Sequence, residues 1–76
     1  MSHDAQLHIT HAIIDEVFAK RKELGLSHEK LAVAAGLHRS AISLIERKQR
    51  IPSLLTILKI CKALEVSLGK VVAKFE

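Results

Sequence analysis

Apolar residues along this chain recur at steps of three and four, and serines, glycines and a single proline break the pattern at short intervals. Ile13, Ile14, Val17 and Phe18 form the first apolar stripe. They predict a helix from about Ile9 to Leu24, with residues 1–8 polar and frayed ahead of it. Gly25 follows a cationic last turn of Lys20, Arg21 and Lys22, an arrangement that ends helices. Ser27 is placed to cap a second helix, with Glu29 in its first turn and Leu31, Ala32 and Ala35 on its buried side. Gly36 stops that helix. A third opens at His38 or its neighbour and runs to Glu46, turning Ile42 and Ile45 inward. Only three or four residues around Gly36 separate the two helices, which is the spacing of a helix-turn-helix.

Pro52 closes the basic loop that comes next, and Ser53 caps a fourth helix from Leu54 to Leu64. Val66 and Ser67 break the pattern again, before a last short helix from Leu68 to about Phe75. No alternating segment predicts a strand, so the expected fold is all-α, a single five-helix domain over residues 9–76. The fourth helix carries more apolar residues than one core face needs. Ile57, Ile60, Cys61 and Leu64 share one side at about 100° per residue, and Leu54, Leu55 and Leu58 share another. A helix that is apolar on most sides has to be covered on most sides. Leu54, Leu55 and Leu58, with Val71, Val72 and Phe75, are therefore expected to form a homodimer interface within residues 54–76.

Composition narrows the chemistry. Seventy-six residues make one small core, and one cysteine excludes an internal disulfide and any cysteine-based zinc module. No run of about 20 apolar residues is present to span a membrane, and no charged-then-apolar leader opens the chain, so the cytoplasm is the expected compartment. His3, His8 and His11 are close together, but ligation needs converging donors, and no metal or other cofactor is expected. No nucleophile, base and orienting acid converge by spacing, and no glycine-rich phosphate loop exists, so the chain does not read as an enzyme. Nothing implies a small-molecule effector.

The net charge is +4, and its placement is informative. Residues 20–50 hold eight of the twelve Lys and Arg and only three acids, whereas the rest holds four bases against five acids. Positive charge confined to the centre suggests a polyanion partner, and beside the helix-turn-helix spacing the expected partner is double-stranded DNA. With Ile42 and Ile45 inward, the third helix leaves Arg39, Ser40, Ser43, Leu44 and Arg47 toward solvent. Arginine suits bidentate contact with guanine, and serine pairs with several base edges. Arg39 also sits at a helix start, where a cation is disfavoured by the local dipole unless an acceptor-rich partner faces it. Arg39, Ser40, Ser43 and Arg50 are the expected base readers. Arg47, Lys48 and Gln49 in the following loop, and Ser27, His28 and His38 at two helix starts, are the expected phosphate contacts. Glu46 would repel phosphate if it faced DNA, so it is expected to turn inward and pair with Arg21.

Residues 17–68 resemble the Cro/repressor-type (xenobiotic-response-element-like) helix-turn-helix proteins of bacteria and phages. The resemblance lies in LA-x3-GL at Leu31–Leu37, IS-x-IER at Ile42–Arg47, the Pro52-Ser53 start and the KALEVSL ending. Within that family, LHRSAISLIERKQR is most similar to the controller proteins of restriction-modification systems. The resemblance implies a lambda-repressor-like domain, a homodimer through the C-terminal helices, binding to a short inverted repeat, and base reading at Arg39 and Arg50. It also supports the Arg21–Glu46 pair. The chain departs from the family at His28, where most members have glutamine, at Ala41, where the controllers carry a larger residue, and at Leu44, which replaces the groove-facing glutamine of phage repressors. A histidine at position 28 can act as a donor whose strength depends on pH. Activation of transcription would further require a contact with RNA polymerase, for which the sequence offers no residue. The rival reading is an antitoxin or adaptor that uses the same fold, and its surplus leucines, to hold another protein.

Overall fold

The structure, a computed structural model, describes residues 3–76, with side chains from Asp4 onward. Met1, Ser2 and the His3 side chain lie outside the described residues, and so does any ligand role for His3. Five helices follow one another: α1 (His3–Glu23), α2 (His28–Ala35), α3 (Arg39–Glu46), α4 (Leu54–Leu64) and α5 (Leu68–Ala73). No strand occurs among the described residues.

The first helix begins at His3 and not at Ile9, so most of the segment expected to be frayed is helical. The local reason is that nothing in residues 3–8 breaks a helix. There is no glycine or proline, Asp4 favours the positive end of the dipole, and Thr10 returns a hydrogen bond to the Gln6 carbonyl at 2.9 Å. At the other end of the chain α5 stops at Ala73, two residues before Phe75, which continues only as a turn bonded to Val72 (2.9 Å).

Three serines hold helix starts. The hydroxyls of Ser27, Ser53 and Ser67 accept from the backbone N–H groups of Lys30, Thr56 and Lys70. The first four helices share one ending, in which a left-handed residue folds the chain back so that two N–H groups reach the last carbonyls. Gly25 and Gly36 take that position after α1 and α2, both at φ 69°. Lys48 and Glu65 take it after α3 and α4, at φ 61° and 57°. Behind Lys48 the bond runs from Gln49 to Leu44 (2.9 Å), and behind Glu65 from Val66 to Cys61 (2.8 Å). A side chain in this conformation costs about 1–2 kcal/mol, which glycine avoids.

The core gathers Ile14, Val17 and Phe18 of α1, Leu31, Ala32 and Ala35 of α2, Ile42 and Ile45 of α3, four residues of α4 and one of α5. α2 packs on α3 and α4, while α1 runs behind them against α3, α4 and α5. This corrects the expected dimer interface at one residue. Val71 is only 5% exposed and belongs to the core, because α5 turns that side toward α1. Phe75 is also packed against the core, and Val72 is half-buried. Leu54, Leu55 and Leu58 stay uncovered, at 68%, 64% and 46% exposure. The last helix does not fold over them.

Candidate nucleic-acid interface

Two short helices, α2 and α3, position the site. The turn between them is set by the left-handed Gly36, after which Leu37 bonds back to Ala32 (2.9 Å) and tucks partly into the core. With Ile42 and Ile45 fully buried, α3 is anchored along one side only. Its other side presents Arg39 and Ser40, both exposed, then half-buried Ser43 and Leu44, then exposed Arg47.

These side chains do not stand alone. Ser27, His28 and Glu29 at the start of α2, together with Arg39, Ser40, Ser43, Leu44 and Arg47 of α3, line one concavity of about 540 Å³. Free backbone N–H groups at a helix start favour an anion, and arginines and serines favour base edges or phosphates. The surface thus combines an anion-binding helix start with a row of side chains suited to a groove. Arg47 also bonds from Nε to the Ser43 carbonyl at 3.3 Å, which lays its stem along α3. Gln49 and Arg50 are exposed in the loop that follows.

Glu46 points inward and ties three helices together. Arg21 Nη2 donates to Glu46 Oε1 at 2.8 Å, and both side chains are only 15% exposed. The other arm of Arg21 donates from Nη1 to the Leu26 carbonyl at 2.6 Å. The second carboxylate oxygen of Glu46 is bonded to His28 Nε2, and Lys22 approaches the first at 4.0 Å. Burial by itself would raise the Glu46 carboxyl, but the hydrogen bonds and charges of Arg21 and His28 outweigh it and hold the group below its ordinary value. The carboxylate is therefore ionised inside a basic surface without facing it.

Two expected contacts are already engaged within the protein, and a third makes no capping bond. His28 lines the concavity, yet one of its ring nitrogens is already engaged by Glu46. Lys48 is not free either, since its amine is bonded to Asp15 of α1. His38 occupies the cap position of α3 without making a side-chain capping bond. Glu29, not among the expected contacts, lies in the concavity. Neither the Asp15–Lys48 nor the His28–Glu46 contact has a signal in local spacing, because each joins residues on different elements.

A helix-turn-helix family profile matches residues 17–71. The control protein C.SmaI of Serratia marcescens is 36% identical over 66 residues, which is 87% of this chain and 79% of that protein. An uncharacterized HTH-type transcriptional regulator of Bacillus subtilis strain 168, YgzD, is 41% identical over 51 residues, 67% of this chain and 77% of that one. Among solved structures, the restriction-modification controller protein C.AhdI from Aeromonas hydrophila superposes with a TM-score of 0.69 at 37% identity, covering 88% of this chain and 97% of that chain. With α2 and α3 forming the helix pair and the matched segment spanning both, the chain belongs to the helix-turn-helix family, as a DNA-binding transcriptional regulator similar to the restriction-modification controller proteins.

Proposed function

We propose that this chain acts as a homodimer on a short inverted repeat and serves as the controller of a restriction-modification system. Its role is occupancy of DNA in the cytoplasm, not catalysis. Each α3 enters a major groove, with half-sites about 34–36 Å apart or a multiple of that spacing. Arg39, Ser40, Ser43 and Arg50 read bases, while Ser27, Arg47 and Gln49 hold phosphates. Lys48, whose amine is bonded to Asp15, keeps further N–H donors for a phosphate.

The observation that carries this reading is the concavity that the start of α2 and the outer face of α3 line together. The exposed Leu54, Leu55 and Leu58 support the dimer, since three neighbouring leucines on one helix face require a cover in water. Similarity to C.SmaI and C.AhdI supports the restriction-modification role.

Selection of sites from a randomised duplex pool, followed by a salt titration on the enriched sequences, tests the proposal. The expected result is an inverted repeat whose affinity falls steeply with salt. The same leucines also suit an adaptor that holds a different protein, and sedimentation separates the two. A dimer of the pure chain supports the regulator. A monomer that enriches no sequence overturns it in favour of the adaptor.

A further inference from the structure

We propose that His28 couples DNA binding to the uptake of a proton at each half-site, so that this regulator grips DNA more tightly as pH falls. The inference rests on the DNA-binding reading of the concavity, and it follows from which ring nitrogen is already in use. His28 Nε2 is bonded to the Glu46 carboxylate, which only accepts, so Nε2 carries a hydrogen. In the neutral ring Nδ1 is then a bare acceptor. A DNA phosphate is also an acceptor, and two lone pairs repel. A contact between His28 and phosphate therefore requires a second proton on Nδ1, taken from solvent.

Charged groups of both signs lie around His28 and its Glu46 partner. Glu46 of α3 and Glu29 of α2 favour the charged ring. Arg21 and Lys22 of α1, both drawn to Glu46, and Arg39 and Arg47 of α3, which line the same concavity, oppose it. Arrival of a phosphate adds one more anion beside a ring whose side chain is 34% exposed and open to the concavity. That addition favours protonation in the complex over the free protein, which is the condition for linkage. Glutamine at this position would present an amide N–H at any pH and would show no coupling of this kind. The histidine thus turns a constant phosphate contact into a conditional one.

The test is the pH dependence of affinity between pH 6 and 8, at fixed salt, for a duplex recovered by the site selection. Wild type is expected to lose affinity with rising pH by up to about tenfold per unit for each His28 engaged. His28→Gln is expected to give a clearly flatter profile, with His38 left in place in both proteins as an internal control. Imidazole nitrogen spectra of the wild type, free and bound, give a second reading that does not depend on a variant folding. The His28 titration midpoint should move to higher pH in the complex. Equal pH slopes for wild type and His28→Gln, or an unmoved midpoint, overturn the proton coupling and leave DNA binding intact. Absence of binding to any selected duplex at pH 6 overturns the DNA reading, and the coupling with it.

Discussion

Replacing Arg21 with methionine should remove a large part of the stability of this domain, and the structure sets the size of the effect. The guanidinium donates to Glu46 at 2.8 Å and to the Leu26 carbonyl at 2.6 Å, in surroundings where both charged side chains are 15% exposed. Each hydrogen bond involving a charged group contributes about 1.5–3 kcal/mol, so their loss costs about 3–6 kcal/mol. Arg21 Nε, however, is buried without a partner, and removing that orphan returns about 1–3 kcal/mol. His28 and Lys22 remain beside Glu46 and limit the exposure of a lone buried charge. Taking the middle of each range, the net expectation is a loss of about 2–3 kcal/mol, below the upper end for one-sided removal of a buried ion pair. A domain of this length has a stability on the order of 4–11 kcal/mol, so the variant should melt roughly 10–20 °C lower.

The chain has no Trp or Tyr, so helical circular dichroism in urea, at one fixed protein concentration, is the suitable assay. A double-mutant cycle with Glu46→Gln isolates the pair, and a coupling of at least about 1.5 kcal/mol is expected. A loss under about 0.5 kcal/mol for Arg21→Met, or strict additivity in the cycle, would refute the view that Arg21–Glu46 holds α1 to the end of α3.

Other consequences are equally direct. Arg39→Ala and Arg50→Ala should each cost about 1–3 kcal/mol of binding and relax preference at one base position per half-site, read by repeating the site selection with each variant. Glu65→Gly should stabilise the fold by roughly 1 kcal/mol, because glycine avoids the left-handed strain at φ 57° and the change removes an anion from a helix C-terminus; the melting temperature should rise by several degrees. The lowered Glu46 carboxyl makes its stabilisation complete above the ordinary value of 4.5 and loses it as pH falls through the lowered one. The urea midpoint of wild type should therefore drop steeply below about pH 4.5, and that of Glu46→Gln less so.

Much of this molecule is legible in its sequence because its punctuation is local. Ser27, Ser53 and Ser67 each cap a helix three residues before the N–H they accept, and Gly25 and Gly36 mark two of the endings. The inward turn of Ile42 and Ile45 follows from spacing alone, and with it the outward row from Arg39 to Arg47. What spacing cannot supply is which partner an apolar or charged residue meets. Leu68, Val71, Val72 and Phe75 form one stripe at helical spacing, and a stripe of that kind serves a core or a partner chain equally well; the packing of α5 on α1 assigns Val71 to the core. Lys48 and Glu65 take a conformation usually marked by glycine, so neither helix ending is announced by its own residue. The start of α1 is obscured for the opposite reason, since a polar segment without a breaker extends a helix once the apolar turns behind it are anchored.

The residue that joins fold to function is Glu46. It lies at the end of α3, the helix proposed to enter the groove, yet its bonds run to Arg21 in the first helix and to His28 at the start of the second. An acid there would weaken binding if it met phosphate, and its inward turn removes that repulsion by placing the charge against Arg21, Lys22 and the His28 ring. The same bonds tie the α2 start to the end of α3, the two elements whose side chains line the concavity. A groove-reading surface works only if its base-edge and phosphate donors keep a set separation, because phosphate contacts position the protein and base contacts specify the site. The two eight-residue helices keep that separation partly through their own packing around Leu31, Ala32, Ala35, Ile42 and Ile45. The Arg21–Glu46–His28 linkage adds a polar constraint between the two helices, anchored from α1 by Arg21. Damage to it should therefore blur sequence preference as well as lower stability, even though Arg21 itself lines no part of the concavity.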